Sequence, residues 1–212
     1  MKEKIVVIGG GGHAKVITSM IKRAGIFEPV GFTDPEEKPQ LLGIPYLGTD
    51  DKLPELFACG VRHAVIGLGQ IKSSRIRRKL VQMADDIGFE LPEIIAPGAI
   101  INEEVSIGRG TVVMDGVVIN SGTTIGEFSI FNTNASVDHD CEIGSFTHIA
   151  PGVTFSGSVI AGDDVLIGTG ASVIQELTIV SGTILAAGSS LQRSVIKPGI
   201  FRGVPAKMIK PL

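Results

Sequence analysis

Residues 125–155 read IGEFSI FNTNAS VDHDCE IGSFTH IAPGVT F when they are written in blocks of six, and each block opens on a large apolar residue. We call these positions anchors. The register runs from Ile95 to Leu191, and sixteen of its seventeen anchors are large and apolar, Ala161 being the exception. A second register, two residues before each anchor from Ile101 onward, holds small or β-branched residues, except Leu177. This pattern predicts a parallel β-helix of hexapeptide repeats, in which each hexad is one short strand and three hexads close one triangular coil.

The first 92 residues carry a different pattern, of alternating strands and helices, which is typical of a small α/β domain with a parallel sheet. Strands are predicted at Lys4–Ile8, Val30–Thr33 and Ala64–Ile66, and helices at Ala14–Arg23 and Ser73–Ile87. We therefore expect a Rossmann-like half-domain at residues 1–92 and a β-helix domain with a C-terminal cap at residues 93–212.

Composition excludes several classes of partner. The net charge of −3 over 212 residues provides no basic field, so we expect no nucleic-acid partner. No apolar run reaches the roughly 18 residues of a membrane span, and the N-terminus has no signal-peptide pattern, so a cytoplasmic protein is expected. Cys59 and Cys141 lack the spacing of a disulfide framework or a zinc site, and both are predicted to be buried thiols.

The glycine-rich loop after the first strand predicts an anion site. Backbone N–H groups at a helix start bind phosphate, and Gly9, Gly11 and Ala14 fit the pattern G-x-G-x-x-A. Asp34 lies about twenty residues further on, as the ribose-binding acid of a dinucleotide-binding fold does. An NAD-dependent enzyme is therefore one alternative, although 92 residues are too few for two mononucleotide-binding halves and supply no base for hydride transfer.

Three parts of the chain resemble the bacterial hexapeptide-repeat sugar acyltransferases, of the sialic acid O-acetyltransferase and nucleotide-aminosugar N-acetyltransferase type. They are IGGGGHAKV at residues 8–16, VDHDCEIG at 137–144 with HIAPG at 148–152, and GVPAK at 203–207. The resemblance covers nearly the whole chain. It implies a left-handed β-helix, a homotrimer, and acetyl-CoA bound between neighbouring helices.

His139 is the candidate general base. Acyl transfer to an amine or hydroxyl needs a group that removes the acceptor's proton, and imidazole suits this task near neutral pH. His139 lies two residues beyond the anchor Val137, so its side chain is expected to point out of the prism. Asp140 follows and is predicted to orient the imidazole or stabilise its charged form. The family's base is likewise a histidine beside an acidic residue.

Four further residues are candidates for contact with acetyl-CoA. Gly157 stacks on His139 one coil later and could direct its N–H at the thioester carbonyl, or be an ordinary turn glycine. His148 lies half a coil from His139, and in a trimer it could approach a neighbour's His139, or be a plain surface histidine. Lys207 could meet a CoA phosphate, or belong to a simple cap. Ala187 is a candidate contact for the pantetheine arm.

The resemblance implies that the N-terminal domain binds the diphosphate and the base of a nucleotide sugar. His13 is implied near the sugar or phosphate and Asp34 near the nucleoside. The remaining candidates in this pocket are Gly10, Gly11, Gly12, Ile66, Gly67 and Arg75.

The expected function is acetyl-CoA-dependent N-acetylation of a nucleotide-linked 4-amino-4,6-dideoxysugar for surface glycans, without a metal. Sialic acid O-acetylation is the alternative acceptor chemistry. A trimer that merely binds nucleotide sugar also stays open, although an outward His139 and Asp140 would serve no purpose there. A γ-type carbonic anhydrase is disfavoured because the coil holds only His139 and His148, in the wrong spacing for zinc. The nucleobase, the sugar stereochemistry and the acyl length are left undetermined.

Overall fold

The computed structural model describes residues 2–71 and 73–212. The chain forms two compact units, Met1–Pro97 and Gly98–Leu212. Within the described residues, no helix is both long enough and apolar enough to cross a membrane.

The first unit is an α/β structure around a parallel sheet. Its elements are β1 (Glu3–Ile8), α1 (Gly12–Ala24), β2 (Phe27–Thr33), β3 (Gln40–Leu41), β4 (Ile44–Pro45), a 3₁₀ helix (Asp50–Lys52), α2 (Leu53–Ala58), β5 (His63–Ile66), α3 (Arg75–Ile87) and β6 (Ile94–Ile95). Strand β1 lies between β2 and β5 and runs parallel to both. Residues Ile5 to Ile8 are buried, as expected for a central strand of a parallel sheet.

Helix α1 ends at Ala24, one residue beyond the predicted Arg23. Gly25 adopts the left-handed conformation with φ of 70°, and its N–H donates to the carbonyl of Ile21. The helix begins two residues before the predicted Ala14, because Gly12 and His13 already form its first turn. The glycine-rich loop therefore leads directly into helical N–H groups.

The prediction that both cysteines are buried is wrong for one of them. Cys141 is buried inside the coil, whereas Cys59 is exposed at the end of α2. Sequence reasoning missed α2, a six-residue helix in which only Leu53 is buried. One buried residue is too few to produce a helical period.

The second unit is a parallel β-helix of two-residue strands closed by a hairpin. Its strands are β7 (Ile100–Ile101), β8 (Ser106–Ile107), β9 (Val112–Val113), β10 (Val118–Ile119), β11 (Thr124–Ile125), β12 (Ile130–Phe131), β13 (Ser136–Val137), β14 (Glu142–Ile143), β15 (His148–Ile149), β16 (Thr154–Phe155), β17 (Ile160–Ala161), β18 (Leu166–Ile167), β19 (Ser172–Val173), β20 (Thr178–Ile179), β21 (Ile184–Leu185), β22 (Ser190–Leu191), β23 (Gly199–Gly203) and β24 (Ala206–Pro211).

Every third strand returns to the same face of the prism. The first face contains β7, β10, β13, β16, β19 and β22, the second contains β8, β11, β14, β17 and β20, and the third contains β9, β12, β15, β18 and β21. Partners are eighteen residues apart, as in the pairing of Val137 with Phe155. Strand β23 extends the third face in parallel, and β24 pairs with it antiparallel.

The anchors fill the interior of the coil. From Val113 onward they are all buried, and Phe131 and Phe155 are among the largest fully buried side chains. Burying a side chain of this size contributes about 1.5–3 kcal/mol. Buried hydroxyls of the second register are hydrogen-bonded, as Thr147 shows by donating to the carbonyl of Gly162 at 3.0 Å. The core therefore leaves these inward polar groups satisfied.

The corners of the coil use left-handed backbone at a fixed place in the repeat. From the anchor Ile101 to the anchor Leu185, the third residue after each anchor has positive φ, and it is glycine at many corners but a residue such as Phe128, Asn134, Asp140 or Phe146 at others. This conformation is costly for most side chains and cheapest for glycine, asparagine and aspartate. The φ of 56° at Asp140 is thus a property of the repeat rather than of the site beside it.

Candidate functional site

The side chains of His139 and Asp140 form a hydrogen-bonded pair in the turn between β13 and β14. Nδ1 of His139 lies 2.7 Å from Oδ2 of Asp140, and both side chains are more than half exposed. This hydrogen bond, together with the charges of Asp138 and Asp140, raises the pKa of His139 above its ordinary value. An imidazole held at Nδ1 by a carboxylate can accept a proton at Nε2.

Glycines on the adjacent coils make room for this pair. A Cβ at Gly157 would stand 2.6 Å from both Cε1 and Nε2 of His139, which is too close for a real side chain. On the preceding coil, a Cβ at Gly122 would stand 2.6 Å from Oδ1 of Asp140. The pair is therefore seated between two positions that lack side chains, and Gly157 lies against the imidazole as its spacing predicts.

His148 lies on another part of the prism. It is half-buried in β15 on the third face, while His139 lies at the corner between the first and second faces. Nε2 of His148 lies 3.4 Å from Nδ2 of Asn132. His148 thus lies on a face of the prism and His139 at a corner, so the two histidines are apart within one chain.

Ala187 and Lys207 are both exposed near the C-terminal end of the coil. Ala187 lies in the turn after β21, where its backbone nitrogen would stand 2.4 Å from a Cβ at Gly168. Lys207 lies in β24 and lines a concave surface of about 600 Å³ with Gln192, Arg193, Pro205 and Ala206. This surface carries two cationic side chains, Arg193 and Lys207.

A cleft of about 300 Å³ lies in the first unit, at the carboxyl end of β1. It is lined by Gly9 to His13, by Asp34, Pro35 and Asp50, by Gly67 to Gly69, and by Ile76 and Leu80. The predicted loop residues Gly10, Gly11, Gly12 and His13 are therefore brought together with Asp34. A Cβ at Gly11 or Gly12 would meet nothing within 4 Å, so the space in front of these residues is open.

The Asp34 carboxylate fixes the glycine-rich loop. Its Oδ2 accepts hydrogen bonds from the N–H of Gly10 and from Nζ of Lys38, both at 2.7 Å. Burial opposes ionisation of Asp34, but hydrogen bonds from Lys38, Glu36 and Gly10 lower its pKa. A Cβ at Gly10 would stand 2.5 Å from the ring of Phe32, so this position requires glycine.

The other predicted pocket residues differ in their surroundings. Gly67 lines the cleft and packs tightly, since a Cβ there would stand 2.8 Å from Ala14. Ile66 is buried in β5 and does not line the cleft. Arg75 is exposed at the start of α3 and lines an adjoining concave surface with Leu68.

Comparison with known proteins assigns both units to one family. Residues 4–84 match the PglD N-terminal domain. Over 97% of this chain and 96% of the other, the structure is similar to PerB from Caulobacter crescentus in complex with CoA and GDP-perosamine, with 38% identity and a TM-score of 0.90. The chain belongs to the hexapeptide-repeat sugar N-acetyltransferases.

Two other members of this family are similar over their whole length. The acetyltransferase domain of PglB from Neisseria gonorrhoeae, in complex with acetyl coenzyme A, is 33% identical over 99% of this chain and 100% of that one, with a TM-score of 0.90. WeeI from Acinetobacter baumannii is 26% identical over 98% and 100% of the two chains, with a TM-score of 0.85. Two further structures of the C. crescentus enzyme carry a histidine replaced by alanine or asparagine.

The family assignment confirms the predicted fold class, an α/β half-domain followed by a left-handed parallel β-helix, and it confirms the resemblance on which the enzyme class was predicted. Among residues 2–71 and 73–212, no group of three or more His, Cys, Asp or Glu side chains is arranged to hold a metal ion.

Sequence reasoning missed Asp138 and Asn132, two side chains at equivalent places in their hexads. Each follows an anchor directly and accepts a hydrogen bond from the next backbone N–H, at 2.9 Å from His139 and at 2.8 Å from Thr133. The signal was present in the sequence, because each is a small acceptor at the entrance to a turn.

Arg77 was also missed. It is buried, its Nη1 donates to the carbonyl of Leu68 at 2.9 Å, and burial lowers its pKa to about 10. It thereby fixes a segment that borders the cleft. No sequence signal separates it from the exposed Arg75, Arg78 and Lys79 of the same helix.

Proposed function

We propose that this protein transfers the acetyl group of acetyl-CoA to the amine of a nucleotide-linked 4-amino-4,6-dideoxysugar. The hydrogen-bonded pair of His139 and Asp140, exposed and seated against Gly157, carries the proposal. The similarity to PerB, which was solved with CoA and GDP-perosamine, supports the choice of acceptor and co-substrate. The reaction would take place in the cytoplasm and serve the synthesis of surface glycans.

In the proposed reaction His139 is the general base. Its Nδ1–H donates to Asp140, which leaves Nε2 as the acceptor for the amine's proton. The amine nitrogen then forms a bond to the thioester carbonyl carbon. The carbon–sulfur bond breaks, and the imidazolium of His139 gives the amine's proton to the sulfur, so that CoA leaves as a thiol and the base is neutral again. Asp140 stabilises the imidazolium that forms between these steps.

The N–H of Gly157 is the proposed donor to the thioester oxygen. It makes no hydrogen bond within residues 2–71 and 73–212, and it lies on the coil that flanks the imidazole. A backbone donor aimed at a developing oxyanion stabilises the transition state without reorganisation. Its position beside His139 supports a shared reaction centre.

We further propose that three copies complete the site. His148 of one protomer would approach His139 of the next, and acetyl-CoA would lie between neighbouring helices. Ala187 would contact the pantetheine arm, and Lys207 would contact a CoA phosphate. The exposure of Ala187 and Lys207, and the cationic surface around Lys207, support this arrangement.

Residues 1–92 are the proposed nucleotide-sugar domain. The N–H groups of Gly11 and Gly12 lie at the start of α1, where a diphosphate is favoured by the helix dipole. Gly10 lines the same cleft, and its own N–H donates to Asp34. Lys38 partly neutralises Asp34, which reduces repulsion between this carboxylate and the ligand. His13 and Gly67 line the same cleft, Arg75 lies beside it, and Ile66 supports it from the core.

A thiol-release assay tests the proposed function. With acetyl-CoA, the purified protein is expected to release CoA thiol when GDP-perosamine or a UDP-4-amino-4,6-dideoxysugar is added, and not with sialic acid alone. Comparing GDP-, UDP- and CMP-linked sugars identifies the nucleobase. Thiol release with free sialic acid would replace amine acetylation by O-acetylation, and binding of the nucleotide sugar without turnover would identify a non-catalytic protein.

Two measurements address the base and the assembly. The His139→Asn variant is expected to lose about 100-fold or more in kcat while its affinity for CoA stays close to wild type. Sedimentation equilibrium is expected to give the mass of a trimer. A monomer with full activity would contradict the shared site.

A further inference from the structure

A row of polar side chains runs along the coil and ends at the His139 turn. Nδ2 of Asn102 donates to Oδ1 of Asn120 at 2.7 Å, and Nδ2 of Asn120 donates to Oδ1 of Asp138 at 2.9 Å. Each step spans eighteen residues, which is one coil. We call Asn102, Asn120 and Asp138 the amide ladder. It connects two preceding coils, through Asn102 and Asn120, to Asp138, the residue directly before His139.

The last member of the ladder fixes the backbone of His139. Oδ1 of Asp138 accepts the N–H of His139 at 2.9 Å. The neighbouring N–H groups are held by other coils, since Asp138 donates to the carbonyl of Phe155 and Asp140 donates to that of Ser121. The His139 N–H therefore depends on the Asp138 carboxylate rather than on the coil-to-coil hydrogen bonds.

The negative charge of Asp138 also acts on the imidazole of His139. Hydrogen bonds from the His139 backbone and from Asn120 lower the pKa of Asp138, which keeps it ionised at neutral pH. Asp138 and Asp140 are the carboxylates whose charges act on His139. The residues facing this turn from the coils before and after do not titrate near neutral pH: Asn120, Ser121, Gly122, Ser156, Gly157 and Ser158.

We propose that Asp138 is a positioning residue for His139: its carboxylate, held by Asn120, fixes the turn that carries the imidazole, and its charge stabilises the protonated ring during turnover. This inference rests on the proposed role of His139 as the general base. Asp140 holds the ring at Nδ1, whereas Asp138 holds the backbone from which the ring projects. The two carboxylates act on different parts of one residue.

A merely structural role for Asp138 makes different predictions. If the carboxylate only completed a ladder common to the coil, its loss would lower thermal stability and leave the ionisation of His139 unchanged. If it positions the base, its loss also changes kcat and the pH dependence. The two contributions of Asp138 can be separated, because asparagine retains a carbonyl oxygen for both hydrogen bonds and removes only the charge.

The experiment compares four variants of the full-length protein with acetyl-CoA and the amino sugar that supports turnover. Asp138→Asn is expected to lower kcat several-fold and to move the acid limb of kcat/KM to lower pH, because loss of a nearby negative charge lowers the pKa of His139. Asp138→Ala also removes the oxygen that accepts the hydrogen bonds from His139 and Asn120, and it is expected to lower kcat about tenfold or more, with little change in KM for acetyl-CoA. Asn120→Ala is expected to lower kcat without moving the acid limb.

Asn102→Ala is the matched control. It removes only the hydrogen bond between Asn102 and Asn120, one coil further from His139, whereas Asn120→Ala removes that bond and the bond to Asp138. It is expected to lower thermal stability less than Asn120→Ala and to keep wild-type kcat. A second readout is independent of turnover: an NMR titration of ¹³C-labelled histidines, in which His139 is assigned by the resonance missing from His139→Asn. Asp138→Asn is expected to titrate His139 at lower pH.

The outcomes separate this inference from the proposed function. Wild-type kcat, pH profile and His139 titration in both Asp138 variants would overturn the positioning role, even if His139→Asn is inactive. Full activity of His139→Asn would instead overturn the general base on which the inference rests. A kcat lowered equally by Asn102→Ala would reduce the effect to overall loss of stability and would also overturn the positioning role.

Discussion

The imidazole of His139 occupies the place that a side chain at position 157 would need. Two ring atoms lie 2.6 Å from the Cβ that any other residue would have there, and Gly157 does not adopt positive φ. The backbone conformation would therefore accept alanine, and the ring alone excludes it. This contact ties a glycine of one coil to the candidate base of the coil before.

Gly157→Ala is expected to displace the imidazole and to lower kcat about 100-fold, since a displacement of about 1 Å at a reacting group has an effect of this size. KM for the nucleotide sugar is expected to change little, because the variant leaves the first unit intact. Steady-state kinetics with both substrates measures the effect. Wild-type kcat would show that the ring has another position equally suited to the reaction.

The control for this prediction is the same substitution in a background without the ring. In His139→Ala, the added methyl of Gly157→Ala has no imidazole to displace, so it is expected to leave the melting temperature unchanged. In the wild-type background the same substitution is expected to lower it. Equal shifts in the two backgrounds would place the clash elsewhere.

Asp140→Asn is expected to move the acid limb of the pH profile to lower pH. Asp140 raises the pKa of His139 through its hydrogen bond and its charge, so the base of the wild-type enzyme becomes neutral only at higher pH. Asparagine tolerates the left-handed conformation of this position and removes the charge. The kcat/KM profile between pH 5 and 9 measures the shift, and kcat is expected to fall at all pH values.

Glu176→Gln is the matched control for Asp140→Asn. Glu176 has the same left-handed turn position two coils later and is exposed. The pKa of His139 is raised by Asp140 and Asp138 and not by Glu176. Its substitution is expected to leave the acid limb in place, and a shift equal to that of Asp140→Asn would indicate a general effect of surface charge.

The six-residue period predicted the coil because each strand is only two residues long and ends on its anchor. The anchors are buried from Val113 onward, which explains why the period is so regular. The first three anchors are only half-buried, namely Ile95, Ile101 and Ile107. The apolar pattern therefore begins before the part of the coil in which the anchors are completely buried. The period alone could not locate the end of the core.

The candidate site was predicted in part, for a physical reason. Register placed His139 outside the prism and Gly157 beside it, because both follow from spacing. The residues of the amide ladder, Asn102, Asn120 and Asp138, are eighteen residues apart in the sequence. A comparison of positions six residues apart does not reveal them, because other residues lie at the intermediate positions. The burial of Arg77 depends on how α3 packs, and a helix with several cationic residues gives no sign of which one is enclosed.

Lys207→Ala is expected to raise KM for acetyl-CoA several-fold with kcat unchanged, because an exposed ammonium supplies a point charge for a phosphate. The effect is expected to shrink as salt is raised, since exposed charges are screened. Lys210→Ala is the control, because Lys210 is an exposed lysine of the same strand that does not line the concave surface of Lys207. Equal effects of the two variants would reduce the role of Lys207 to net charge.

Asp34→Ala is expected to weaken binding of the nucleotide sugar and to leave KM for acetyl-CoA unchanged. The substitution leaves the N–H of Gly10 without its acceptor in a buried place, at a cost of about 1–3 kcal/mol. The loop that leads into α1 is thereby loosened. Isothermal titration with the nucleotide sugar measures the affinity, and Asp51→Ala, an exposed aspartate near the same cleft, serves as control. If Asp34→Ala bound the ligand as tightly as Asp51→Ala, the proposed place of the nucleotide would be wrong.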